Sequence, residues 1–407
     1  MKGRHSDGWI WSSRGRWFVF LIVRSGVVAG SAGAASVTKI RAQPQQLTLV
    51  CVVGALVMMP GTSLSSHPAA NPLSAASTPD VVCEGSLGLT PVVDIGSTVA
   101  PVPAATVVAK APGRVYVTHM RDGSKIRVYD LAGEHVATIG GSAGEPGEYA
   151  YIRALDIDTA GLLHIFDAGN LRHTILDASG RVIRRSPMPG RVEENGAIVV
   201  DEAHYLMNGA TLGRRGPPVH LVDSTGSVVR SFRQVEDHPT GRSEFIYGVA
   251  ISVDRSHFWV APHSRYRLDL WDWEGNLVRS IERAPDWWVE DRPPTPRTLP
   301  ADEATQPPTN SSALVAVAQR EPGSVLVAGR TPRSEWEAVM EGGRALDMNA
   351  VAEPFLERID SERGRALGTC FFDFAWGGLV DSDHFFAYRE ERAGAGWIRI
   401  WSIDPVP

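Results

Sequence analysis

Three histidines recur at one position of a repeating pattern. His204, His257 and His384 each begin a short apolar run (His-Tyr-Leu-Met, His-Phe-Trp-Val and His-Phe-Phe-Ala). Imidazole is a common metal ligand. A shared ion would nonetheless need all three nitrogens within about 2.0–2.1 Å of one point, and equivalent positions in different repeats lie far apart. They therefore read as strand-start residues near the surface, and no metal is expected.

The arginines after the same runs form a second set. Arg121, Arg172, Arg214, Arg215, Arg265, Arg330 and Arg389 all follow an apolar run, with Lys125, Arg267, Arg333 and Arg392 close by. If the repeats form a ring, these loops lie on one face, and that face attracts anionic groups. Arg172 has a structural alternative, an ion pair with Asp167. Arg214, Arg215 and Arg265 have no such partner in the sequence, so Arg121, Arg214, Arg215, Arg265 and Arg330 are the candidate ligand-binding cations. Trp287 and Trp288 join them, because exposed aromatics stack on sugars or anchor partners; the competing reading is that they pack an insertion onto the domain. No catalytic residue is expected: the chain has no G-x-S-x-G, H-E-x-x-H, C-x-x-C or P-loop. Pairs such as Asp156 and Asp158 fall in strand-ending turns.

The elements that position these residues are strands. Six openings align, at Gly113, Gly161, Ala203, Ser256, Gly323 and Asp383, spaced by 48, 42, 53, 67 and 60 residues. A second mark follows each of the first four: an apolar run ending in Asp, with Gly three residues on. The pairs are Asp130/Gly133, Asp177/Gly180, Asp223/Gly226 and Asp272/Gly275; Asp360/Gly364 is one residue longer. Asp caps such a turn, and Gly takes the positive φ that closes it. Period-2 strands with turns at this spacing indicate an all-β chain, and about four strands per period indicate propeller blades. The fold expected is a six-bladed β-propeller of four-stranded blades. Its last unit lacks a fourth strand after Ile403. Pro91 to Gly96 (PVVDIG) resembles Val136 to Gly140 and supplies that strand, which removes an open edge.

Gly147-Glu148-Tyr149, the run ending at Asp158, Gly161, Asp167, Asn170, Arg172, Asp177 and Gly180 together resemble an NHL repeat. The match is good over Gly113 to Gly190, fair to Arg279 and poor beyond. His173 stands where the family prefers Ile, and Met207-Asn208 replaces the Val-x-Asp step in the third unit. The whole resembles uncharacterised secreted bacterial six-bladed propellers. The resemblance implies a non-catalytic binding platform for a protein, peptide or glycan, without cofactor. The alternative it implies is a metal-dependent lactonase or lyase with its site in the central channel. No Glu, Asn and Asp set matching such a site is evident on the inner strands.

Composition sets the remaining bounds. Charged residues make up 21% of the 407 and hydrophobic ones 43%, as in an ordinary globular protein. The net charge of -6 gives no pull toward nucleic acid. Lys39 and Arg41 precede the apolar run Leu47 to Met59, and Pro60-Gly61 and small residues follow. This is the order of a secretory signal, and the run is too short to span a bilayer. Residues 1–65 are thus expected to be an export region behind an over-extended N-terminus, with Val37 one candidate start. Val50 stands where a lipoprotein signal needs a small residue, so Cys51 is not expected to be lipidated. Residues 66–86 read as a disordered linker. Residues 87–407 read as the propeller, with insertions at 284–312 and 335–352, the second holding a short helix. The expected product is an extracytoplasmic monomer with no stable membrane span. Beyond the signal only Cys83 and Cys370 remain. An exported chain meets conditions in which a disulfide persists, and neighbouring blades would bring these two together across the ring's seam.

Overall fold

The computed structural model describes residues 81–119, 122–141, 148–211, 219–232, 247–290, 311–333, 351–392 and 395–404, and four short strands between residues 10 and 28. Residues 1–73 and 74–407 are two compact units. In the first, Ile10–Ser13 pairs with Arg16–Val19, and Leu21–Val23 with Gly26–Val28. The apolar run Leu47 to Met59 and the helix expected in 335–352 lie outside the described residues.

The second unit is all-β, a propeller of six antiparallel blades. Blade 1 runs from the axis outward through Ala105–Ala111, Arg114–His119, Asp122–Tyr129 and His135–Gly140. Blade 2 comprises Ile152–Ile157, Leu163–Asp167, Arg172–Leu176 and Val182–Pro187. Blade 3 comprises Gly190–Val199, His204–Thr211, Val219–Asp223 and Val228–Phe232. Blade 4 comprises Tyr247–Ile251, His257–Pro262, Arg267–Asp272 and Leu277–Glu282. Blade 5 holds Ala313–Ala318, Ser324–Pro332, Ala352–Asp360 and Ala366–Phe372. Blade 6 holds Trp376–Leu379, His384–Arg392 and Ala395–Ile403, and Leu89–Ile95 completes it.

The Asp/Gly marks are the turns between third and fourth strands. At the first, Asp130 Oδ1 accepts the N–H groups of Ala132 and Glu134, both at 2.9 Å, and Gly133 has φ 81°. An added Cβ there would also meet the Asp94 carbonyl oxygen at 1.9 Å, so the position is closed to other residues twice over.

Alternating strands place apolar side chains on both faces of each blade, and the blades stack on them. Six apolar clusters result, one at each seam between neighbouring blades. The seam between blades 6 and 1 contains Val93 and Ile95 of the closing strand, packed with Val108, Val117, Phe386 and Ile400. Arg399 lies opposite Asp94 and holds it through two hydrogen bonds of 2.6 and 2.9 Å. Closing the ring with an N-terminal strand is therefore both an apolar and a polar fit.

Val81–Gly85 differs from the sequence reading. This segment, within the stretch read as linker, forms a fifth strand on the outer edge of blade 5. Its β-branched valines suit an edge strand, a signal that the Ser, Pro and Ala upstream obscure. Cys83 lies directly opposite Cys370, with Cα atoms 4.0 Å and sulfurs 2.02 Å apart. The chain thus adds a strand to blade 5 and then one to blade 6, clasping the last two blades together.

Candidate functional site

Two axial cavities sit end to end in the propeller. Residues from all six blades line each, which only a position on the ring axis allows. Asn195 borders both. It lies in a bulge, where four residues, Glu193 to Gly196, are inserted between the paired Val192 and Ala197, and its own φ is 52°. The bulge pinches the channel.

The larger cavity, about 370 Å³, opens where first strands turn into second strands. Carboxylates crowd this mouth, and structure already uses the four aspartates among them. Asp156 accepts N–H groups from Ile157 at 2.9 Å and from Val199 of blade 3 at 2.7 Å. Burial, with Asp158 and Asp381 nearby, pushes its pKa up to about 7. Asp201 holds His204 at 3.0 Å, and Asp381 holds His384 at 2.8 Å. His257 bonds Ser256, which bonds Asp254. The three recurrent histidines are thus each tied to the turn that precedes their own strand. Asp158 accepts from His164 Nε2 at 3.1 Å, and His164 Nδ1 lies 3.0 Å from His173 Nε2. With Asp158 as acceptor, the chain of donors is fixed: His164 donates from Nε2, and His173 donates from Nε2 to His164. Among the described residues no three His, Cys, Asp or Glu side chains come together as metal ligands.

The smaller cavity, about 300 Å³, opens on the opposite face, where first strands begin and second strands end. Bulges build it. The inner strands of blades 1, 2, 3 and 5 each lose register at this level, at Thr106, Arg153, Glu193 to Gly196, and Val315. A bulge re-aims a side chain, and these residues line the cavity. Trp376 and Phe386 of blade 6 form an apolar wall. Trp376 stacks on Tyr388 at 4.5 Å and donates to the Ala105 carbonyl at 2.8 Å.

Arg330, at the end of the second strand of blade 5, brings a guanidinium to this cavity. Its side chain is exposed to the water of the cavity. Burial pulls its pKa below the usual arginine value, against the opposing pull of Glu194. Arg330 makes no hydrogen bond or ion pair among the described residues, and neither does Glu193. Glu194 is 3.7 Å from Arg153, and burial raises its pKa against the charges of Arg153 and Arg330. His263 Nδ1 faces the Leu314 carbonyl at 2.8 Å, which leaves Nε2 as the free nitrogen. Burial and the Arg330 charge lower its pKa to about 4, so it is neutral at pH 7.

Of the other cations expected here, Arg121, Arg214 and Arg215 lie outside the described residues. Arg265 is half-buried in the loop after the second strand of blade 4, on the face of the smaller cavity, and its interactions are internal. Arg172 does not pair with Asp167. The oxygens of Asp167 are taken by the N–H groups of Ala150, Tyr151, Gly169 and Asn170, and Arg172 donates to the Glu148 carbonyl. Trp287 and Trp288 pack in an aromatic cluster with Tyr266 and Phe355 at the seam of blades 4 and 5. The Trp287 carbonyl accepts from Thr331, the neighbour of Arg330, at 3.0 Å. The start of the 284–312 insertion therefore braces the strand that carries Arg330.

Sequence reading missed Glu193 and Glu194, the inner-strand carboxylates. The available signal was Asn195-Gly196, a turn dipeptide inside an apolar strand, which marks a bulge.

No family model matches the chain. No curated protein matches it either. Solved structures do. A member of the DUF4221 family from Bacteroides vulgatus is 9% identical with a TM-score of 0.54, over 79% of this chain and 99% of that one. A protein from Bacteroides fragilis is 9% identical with a TM-score of 0.48, over 77% and 95%. Virginiamycin B lyase from Staphylococcus aureus is 12% identical with a TM-score of 0.40, over 78% and 99%. What the chain shares with the first of these is the fold.

Proposed function

We propose that this NHL-like propeller is a non-catalytic, extracytoplasmic binding platform, acting as a monomer, that holds part of its ligand in the smaller axial cavity. One observation carries the reading. Asp156, Asp158, Asp201 and Asp381 of the larger mouth are committed to turns and histidines, whereas the side chains of Arg330 and Glu193 in the smaller cavity make no hydrogen bond or ion pair among the described residues. Both side chains reach the water of the cavity, so their charges are open to a ligand, and binding is the function such an arrangement serves. Cavities of this size suit a single small unit, such as one residue or one sugar ring, at the lower end of ligand pockets. The export signal read at Lys39 to Ser66 supports the location.

The test is a thermal-shift panel of amino acids, dipeptides, monosaccharides and lactones on purified protein, with each compound quantified afterwards by mass spectrometry. At least one class is expected to raise the melting temperature and to be recovered unchanged. The shift should be absent in Arg330→Met. Consumption of a lactone, or of any other panel member, by the wild type would instead establish the lactonase or lyase reading.

A further inference from the structure

Resting on the reading above, we infer that the smaller axial cavity takes a zwitterion, a free α-amino acid, with its carboxylate on Arg330 and its ammonium on Glu193. The charges of the cavity decide between ligand classes. Two guanidiniums, Arg153 and Arg330, face two carboxylates, Glu193 and Glu194. Arg153 and Glu194 are close enough to neutralise each other, at 3.7 Å. Glu194 also attracts Arg330, but the Arg330 and Glu193 side chains make no hydrogen bond or ion pair among the described residues, which leaves one cation and one anion to be met by a ligand. A simple anion gains Arg330 but meets the field of Glu193. A simple cation meets the reverse. A neutral sugar forms hydrogen bonds to both but neutralises neither. Only a ligand carrying both signs satisfies both groups.

The rest of the lining agrees. Arg330 offers the planar fork that matches a carboxylate. His263 is neutral, so it adds no third cation, and its free Nε2 can accept a hydrogen bond from an ammonium. The wall formed by Trp376 and Phe386 gives an apolar side chain somewhere to lie. The cavity of about 300 Å³ accepts one residue with room for its side chain. It is too small for a long peptide, and the bulge at Asn195 narrows its inner end.

Isothermal titration of the full chain tests this with three sets of probes: the free apolar α-amino acids, their N-acetyl and C-amide derivatives, and glucose and galactose. Binding of at least one free amino acid is expected, with both derivatives at least tenfold weaker because each lacks one charge. Arg330→Met should weaken the free amino acid tenfold or more and leave the N-acetyl derivative no better bound. Glu193→Gln should do the same to the free amino acid while sparing the C-amide less than the N-acetyl form. If no amino acid binds, or if derivatives bind as well as the parent, the zwitterion assignment is wrong. A sugar bound with dependence on Arg330 would overturn this assignment and leave the binding-platform reading standing. Turnover of a probe would overturn that reading itself.

Discussion

Breaking the Cys83–Cys370 bridge should cost the propeller several kcal/mol although both residues lie far from the axial cavity. The bridge joins positions 287 residues apart. In the chain-entropy model a loop of that length restricts the unfolded chain by about 5–6 kcal/mol, and measured losses usually fall short of the model, so about 3–5 kcal/mol is expected. Val81 and Leu87 pack at the two ends of this segment, and Ser86 bonds Leu367 and Arg358, but nothing besides the bridge holds its middle by a side chain. Val82, Cys83 and Glu84 are exposed on the edge of blade 5, and without the bridge this stretch is held mainly by backbone hydrogen bonds. Fraying there leaves the closing strand Leu89–Ile95 tied only from Ser86 onward, through Leu87 in the core and the bonds of Gly88 and Thr90 to Asp404. The assay is guanidinium unfolding of the chain carrying Cys51→Ser, oxidised and reduced, beside the same chain with Cys83→Ser. The reduced protein and the variant should share one midpoint, below that of the oxidised protein. Coincidence of all three midpoints would refute the reasoning, as would recovery of two free thiols from the unfolded, unreduced protein.

Three further outcomes follow from the same contacts. Deleting residues 1–78 should leave the melting temperature unchanged, whereas deleting 1–96 removes Val93 and Ile95 from the seam of blades 6 and 1 and should abolish cooperative unfolding, as seen by near-UV circular dichroism. Arg330→Met should leave the ligand-free protein within about 1 kcal/mol of wild type, because the side chain is exposed and its attraction to Glu194 is screened by water; a larger loss in denaturant titration would mean that Arg330 has a structural role. The propeller should also weaken in acid. Burial lowers the pKa of His119 to about 4 and that of His173 to about 3. Both folded values lie below the unfolded value of about 6.5, so the unfolded chain binds more protons, and stability is lost as pH falls through the interval between them. At pH 4.5 each histidine accounts for about 2–3 kcal/mol at 1.36 kcal/mol per pH unit. His173→Ile should remove one share, and an unchanged pH profile in that variant would contradict the burial argument.

The parts of this fold that follow local rules were readable from the sequence. Asp and Gly at fixed offsets mark a turn because one carboxylate can cap two N–H groups and one residue type accepts the positive φ. The closing strand was readable for a different reason, since Pro91 to Gly96 repeats the pattern of an outer strand that the last blade lacks. Other features depend on tertiary context. Val81–Gly85 is a strand only because blade 5 offers it an edge and Cys370 faces it. Arg330 looks like its neighbours in the repeat, and what sets it apart is a second strand whose end borders the axial cavity that four bulged inner strands build. Trp287 and Trp288 have the composition of a binding surface, yet Tyr266 and Phe355 occupy their faces. Glu193 and Glu194 were hidden because a bulge interrupts the alternation by which an inner strand is recognised.

The most direct test of the account is a crystal structure of the protein soaked with whichever panel compound gives the largest thermal shift. The account predicts ligand density in the smaller axial cavity, with an anionic group against Arg330 and an apolar part along Trp376. Density in the larger mouth among Asp156, Asp201 and Asp381, or on the outer loops near Arg265 with the axis empty, would contradict it.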